Sequence, residues 1–508
     1  MKKKSLLLCP ALAFLSVGAL AGCNQSSNNI IVWVGSESVS YYREKAKEFL
    51  AGNPEFGYGI TIIGADTGGA AGQMVSDNTA CGDIVTIAHD NIGKLSQANY
   101  IAPIVNEDVL AQIEADNPEA FKKVIQNIYG DGSDGYTYTF GVPYISQALF
   151  LYYDTRYVSD EQAKTFEGLL EAARAYDTAN GVSGTKSYTV TGTDGFNNSF
   201  ALLARNITAG NKSSLRLYTA GERYDSYAQD NDMVAVMKWM QRNYADKNGV
   251  LLESGDTPWE VNIENHVALS VIGGAWHYNS FRKAVGDENM GCAIIPTFTL
   301  TAEDVEGISN VKYPEDNGYT NPKTGKVFKG LPQELQGADD YAPQAGDVFR
   351  GGSFVDCKCF VINMAKMTGA EKYAKMCEVI KYFSSKSAQE ESFVKALNVP
   401  AYEGSDAFIE QAKDQVAESA YLMAKAQAGM SIYGIPQPIT DGTTNTFYYS
   451  KNAPDYYLQC IKKNKCGESV DGALGIREIL FRMEYVWKHG STPSAYPGTY
   501  PAETSHPQ

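Results

Sequence analysis

Alternation between short β-branched runs and amphipathic helical text constrains this chain most. Ile30 to Val34 is a β-branched run with the pattern of a buried strand. Tyr41 to Leu50 has helical spacing, with Tyr42, Ala46, Phe49 and Leu50 on one face, and Gly52 and Pro54 stop it. Ile60 to Ile63 reads as the next strand. Helical text around Gly72 to Asp77 leads to a third, Asp83 to Ile87. This β-α-β-α-β order predicts a parallel, doubly wound sheet.

Further along, Tyr136 to Phe140 and Ala148 to Asp154 read as extended. Helices follow at Ser159 to Asn180 and Asp230 to Tyr244. In the second, Met233, Met237, Met240 and Tyr244 form a stripe at helical spacing, which reads as core. Val267 to Ile272 and Cys292 to Pro296 read as strands of a second α/β lobe. Thr299 to Gly346 is rich in Gly, Pro, Asn and Asp and lacks a sustained period, so it reads as a long irregular insertion. Regular text resumes at Ser353 to Asn363, with helices from Gly369 through Leu397. A last helix is expected over Gly472 to His489 and a disordered tail over 497–508.

The N-terminus reads as an export signal. Lys2, Lys3 and Lys4 precede an uncharged apolar stretch from Leu6 to Leu20, too short for a membrane span. Leu20-Ala21-Gly22-Cys23 resembles the lipobox of bacterial lipoproteins. That resemblance implies a signal peptide over 1–22 and lipidation of Cys23. Residues 23–29 would be a polar tether of roughly 20 Å reach. The protein is then expected on the extracytoplasmic face of the cell membrane, held by its lipid anchor only. The chain carries 43 basic and 59 acidic residues, and the signal removes three Lys and no acid. The acidic excess repels nucleic acid and anionic headgroups, so neither is an expected partner.

Catalytic and metal signatures are absent. There is no P-loop, no GxGxxG opening a helix, no GxSxG and no HExxH, and the five His are scattered. No cofactor, metal site or enzymatic activity is expected. Asp131-Gly-Ser-Asp134-Gly135 lacks the spacing of a calcium loop and reads as a turn. Beyond Cys9 and Cys23, seven cysteines remain: Cys81, Cys292, Cys357, Cys359, Cys377, Cys460 and Cys466. They read as buried reduced thiols, with a Cys460–Cys466 bridge as the alternative. On a strand, Cys357 and Cys359 would share one face and Asp356 and Lys358 the other. The 33 Tyr, 20 Phe and 5 Trp supply rings on which sugar C–H faces stack, though most such rings fill cores.

Several segments, in order, resemble the maltose/maltodextrin-binding proteins and the wider sugar-binding family of ABC importers. They are Val32 to Glu37, Ile87 to Gly93 with Gln97 to Asn99, Gly141 to Leu151, Gly273 to Trp276, Ile294 to Phe298, Gly434 to Gln437 and Phe447 to Tyr449. The resemblance implies an α/β, two-lobed periplasmic-binding-protein-like fold with discontinuous lobes and a hinge. One lobe would take 30–146 and 357–408, the other 147–356 and 409–496. It implies a monomer that closes on a sugar and docks on a permease with its ATPase. The implied ligand residues are Ser36, Glu37, Ala88, Asp90, Gln147, Asp194, Phe196, Trp276 and Tyr448, with Trp276 and Tyr448 as stacking platforms.

Departures from the family pattern put maltodextrin itself in question. Ile87 stands where an aromatic is usual, Asn91 where Arg is, Gln147 where Glu is, and the 299–346 insertion has no counterpart. Trp276 could instead be core, and Asp90 could cap a helix beginning near Ile92. Receptors for a peptide or polyamine, an extracytoplasmic glycoside hydrolase and an adhesive surface lipoprotein are the competing readings. No motif selects a hydrolase carboxylate pair, and no repeats or stalk favour an adhesin.

Overall fold

The computed structural model describes residues 28–182, 188–190, 199–210, 212–213, 231–244, 249–252, 257–308, 316–320, 327–329, 343–431, 434–436 and 476. The signal, Cys23, Asp194, Phe196, Tyr448, Cys460, Cys466, the tail and all but Ile476 of the expected last helix lie outside them.

The first five elements follow the alternation. Strand β1, Asn29–Gly35, buries Ile30, Val32 and Val34 on one face. Helix α1, Val39–Gly52, packs Tyr41, Tyr42, Ala46 and Phe49 inward. Then come β2, Gly59–Ala65, α2, Ala70–Asp77, and the fully buried β3, Ile84–Ala88. β1 pairs in parallel with β2 on one side (Ile30↔Ile60) and with β3 on the other (Val32↔Ile84). The chain therefore moves outward from β1 to β2 and then crosses back past β1 to β3, which is the doubly wound arrangement. Helix α3, Ile92–Gln97, follows β3.

The sheet is mixed, not wholly parallel. β4, Val142–Ala148, continues after one residue into β5, Phe150–Asp154, which belongs to another sheet. That second sheet also holds β6, Tyr188–Val190, β7, Leu251–Leu252, β8, Ala268–Gly273, and β9, Met290–Ala293, in the order β7-β6-β8-β5-β9. The chain then returns to the first sheet as β10, Ser353–Asn363, antiparallel to both β3 and β4. Strand β11, Gly434–Pro436, lies parallel to the start of β10.

Two hydrophobic cores result. One gathers Ile30 to Ile145 with Val355 to Phe383; the other gathers Ala148 to Leu300 with Phe354, Phe393 and Met430. The chain passes between them inside paired strands, at Ser146–Ala148 in β4 and at Phe354–Val355 in β10. Helix α4, Asn231–Arg242, buries Met233, Met237 and Met240, so the Met stripe is core. Beside it Trp239 stacks on Phe298 with ring centroids 4.0 Å apart. Helix α5, Lys386–Ala396, touches both cores: Phe393 sits in the second, while Tyr41 O–H donates to the Ala388 carbonyl.

Some sequence expectations shift. The strand expected over Cys292 to Pro296 is displaced: β9 ends at Ala293, and a separate strand, Thr297–Thr299, begins after Pro296, which has no N–H to offer a ladder. The Thr299–Gly346 stretch is not irregular throughout. Among its described residues, Ala302–Val305 is a helical turn closed by a capping box of Thr301 and Asp304, and Arg242 pairs with Asp304 at 2.7 Å. Asp316–Thr320 and Val327–Lys329 pair antiparallel. Caps and ion pairs leave no period in a sequence, which is why that text looked featureless.

Candidate functional site

The carboxyl ends of β1 and β3 meet at the switch point of the first sheet, where ligands enter doubly wound folds. Ser36 and Glu37 form the exposed turn after β1. A Cβ at Gly35 would meet Glu37 Oε1 at 2.2 Å, so glycine lets that carboxylate fold back over the strand end. After β3 come His89, Asp90 and Asn91, of which His89 and Asp90 are buried. Asp90 does not cap the following helix; Asn91 holds that position, and its side chain donates to Asp90 Oδ1 at 2.9 Å.

Strand register adds the remainder of this half. Ala88 lies opposite Lys358, and Gln147 lies opposite Asp356. Ala88, Lys358, Asp356 and Gln147 therefore share one sheet face across three adjacent strands. Gln147 is the single half-buried position of β4, and Lys358 the single half-buried position of β10. The two inter-core strands open to solvent at these two neighbouring points.

Charges are concentrated beneath that opening. Lys358 Nζ donates to Asp356 Oδ2 at 2.7 Å, and His89 Nδ1 lies 2.8 Å from Asp356 Oδ1. Burial would push the Asp356 carboxyl up, but Lys358 and His89 outweigh it and hold it down to about 2. Burial opposes charge on His89 too, yet its contacts with Cys357 and Asp356 carry it well above the usual imidazole range. His89 Nδ1 is also 3.1 Å from the Cys357 N–H. One ring nitrogen serves one such contact at a time, and an ionised Asp356 favours a proton on Nδ1 aimed at the carboxylate. On the other side of β10, Cys357 and Cys359 are buried with sulfurs 3.6 Å apart, and Cys81 and Cys377 are buried free thiols.

Trp276 lies on the side of the second core. It lies on the turn after β8, whose last residue, Gly273, pairs with Phe150 at the inter-core end of β5. Trp276 is 44% exposed, which rejects a core role. Its glycine pair has a local reason. A Cβ at Gly274 would strike the Trp276 ring at 2.1 Å, and one at Gly273 would strike His277 Nδ1 at 2.2 Å. Tyr152 O–H donates to the Gly274 carbonyl at 3.0 Å and fixes the turn. His277 packs on Trp259, and burial pulls its pKa down to about 4. The two halves are tied where the chain crosses: Gln427 Nε2 donates to the Ser146 carbonyl at 2.6 Å and Leu149 N–H donates to Ser353 Oγ at 2.7 Å.

Among the described residues no cluster of His, Cys, Asp and Glu could hold a metal ion, and no helix is long and apolar enough to cross a membrane. The Asp131–Gly135 segment is a turn, with the Ser133 N–H donating to Asp131 Oδ1 at 3.0 Å. The sequence reading passed over His89, Asp356 and Lys358 as site residues. Its one available signal was a pair of opposite charges two residues apart in an otherwise apolar strand.

Residues 45–424 match the family described as bacterial extracellular solute-binding protein. The chain belongs to that family. It is an extracytoplasmic receptor rather than an enzyme. As a solute-binding protein it also matches solved structures at low identity, which bears on the fold alone. The maltodextrin-binding protein MalE1 of L. casei BL23, without ligand, is 15% identical, with a TM-score of 0.61 over 91% of this chain and 99% of that one. The maltose-binding protein MalE of Listeria monocytogenes, in complex with maltose, gives 15%, 0.61, 91% and 99%. MalX of Streptococcus pneumoniae, with maltopentaose, gives 16%, 0.58, 90% and 99%. These matches establish the periplasmic-binding-protein-like α/β fold. No curated protein matches the chain.

Proposed function

We propose that this solute-binding protein captures a neutral carbohydrate between two lobes and delivers it to an ABC permease with its ATPase. The reading is supported by the polar groups at the first switch point and by the exposed indole of Trp276 after β8, each following a strand whose neighbours lead to the inter-core crossing. Asp90, Gln147, Ser36, Glu37 and the Ala88 backbone would bond sugar hydroxyls, and Trp276 would stack on a sugar face. Asp194, Phe196 and Tyr448 join the proposed set through the family resemblance. The lobes would be those implied by the sequence, 30–146 with 357–408 and 147–356 with 409–496, joined through the crossing strands. Solved relatives of this fold that hold maltose and maltopentaose support the ligand class. A polyamine is disfavoured, because Asp356 is already matched by Lys358 and His89.

A thermal-shift screen of the purified mature protein tests this reading. Maltose, maltotriose and maltopentaose stand beside other neutral oligosaccharides, putrescine, spermidine and short peptides. A neutral sugar should raise the melting temperature and come back chemically unchanged. A response confined to polyamines or peptides would overturn the sugar assignment. We further propose a monomer anchored through lipidated Cys23. Cys23→Ser should release it from membranes, and full membrane retention would refute the anchor.

A further inference from the structure

We propose that Lys358 is a ligand-binding donor on the floor of this site and that Asp356 is the residue that positions it. The proposal deepens the sugar-receptor reading and rests on it. Every other residue of β10 is buried, and Lys358 alone keeps access, with 13% of its side-chain surface exposed. It lies directly opposite Ala88, one residue from the turn that carries Asp90. Asn91, the cation-free residue after Asp90, spends its amide inside that turn on Asp90 Oδ1 at 2.9 Å and the Ala88 carbonyl at 3.4 Å. Asp90 and Asp356 both favour the charged form of Lys358 against its burial.

An ammonium carries three donors. One reaches Asp356 at 2.7 Å. That bond fixes the direction of a flexible side chain, and His89 braces Asp356 from the far side at 2.8 Å. Two protons remain, and Lys358 and Gln147 are the positions at which β10 and β4 open to solvent. A Met at 358 would fill similar space without the desolvation cost of a buried ion pair. Asp90 and Gln147 offer acceptors, and a polyhydroxylated ligand also needs a donor beside them. With Asp356 and Asp90 balancing its charge, Lys358 suits hydroxyl oxygens of a neutral sugar better than a carboxylate or phosphate.

The test is calorimetric titration with maltotriose, with melting curves recorded in parallel. Removing one charge alone can unfold the protein, so the deciding variant carries both Asp356→Asn and Lys358→Met. It should melt near the wild type and bind maltotriose at least about tenfold more weakly, the loss of one charged hydrogen bond. Lys358→Arg should bind within about threefold of the wild type. Asp356→Glu, which keeps the charge that orients Lys358, should bind within about threefold of the wild type. A folded double variant that binds as tightly as the wild type overturns the proposal and leaves the sugar reading intact. A wild type that binds no neutral sugar overturns both.

Discussion

Trp276 keeps 44% of its surface in water although it follows a wholly buried strand. Exposed indole area is unfavourable by about 25 cal/mol per Å2, and a stacked ligand recovers that cost. Trp276→Ala should weaken sugar binding by about 1–3 kcal/mol and leave the melting temperature unchanged. Titration with parallel melting curves checks both, and unchanged affinity would place the ring outside the site. Asp232 behaves differently. Burial raises its pKa, the Asn206 amide pulls back, and Asp347 adds to the rise, reaching about 6. The folded state thus keeps a proton that an unfolded Asp releases near pH ~4. Stability from this group is full below that pH and is lost as pH rises through about 6. Asp232→Asn should therefore stabilise the protein at pH 7 by on the order of 1–3 kcal/mol and change little at pH 4. Denaturant titrations at the two pH values decide it.

At the scale of elements, α4 and the strand pair β4/β10 make different demands. α4 announces itself by period: Met233, Met237 and Met240 recur on one face, and all are buried. Met237→Ala should cost about 2–5 kcal/mol, read from chemical denaturation, because Met237 is wholly buried in the second core and its truncation leaves a cavity there. A cost under about 1 kcal/mol would mean the helix packs elsewhere. The β4/β10 pair has no such local signature. Val355 pairs with Ala148 and Phe360 with Val142, partners more than two hundred residues apart. The bounds of β10, Ser353 to Asn363, were legible as a run of strand formers; its antiparallel partners were not. Gly273 and Gly274 were legible as a motif, but their reason, the rings folded over them, appears only in three dimensions.

For the whole molecule the decisive feature is a pair of cores joined inside paired strands. Such a waist permits rotation of one core against the other and little shear. In the proposed receptor, a sugar held by Asp90 on one side and Trp276 on the other would make its full set of contacts only with the cleft shut, and its differential affinity for that state would drive closure. Scattering should report a smaller radius of gyration on sugar addition, over the concentration range in which tryptophan fluorescence changes. Tight binding without compaction would argue against a hinged receptor even if the sugar assignment held.

The sequence by itself determined the alternation that makes β1, β2 and β3 parallel, the core role of the α4 stripe, and membership in a solute-binding family. Each is a local pattern, or a chain of local patterns in order, and period and motif report these directly. Tertiary structure decided which polar groups meet. Asp356 and Lys358 read only as the face of a strand opposite Cys357 and Cys359, and His89 as a motif residue without a task. Pairing of β3, β10 and β4 brought all three together under Ala88 and Gln147. Alternation along one strand says which side chains share a face, but not what covers that face. That depends on segments far along the chain, whose approach is set by burial of two separate cores.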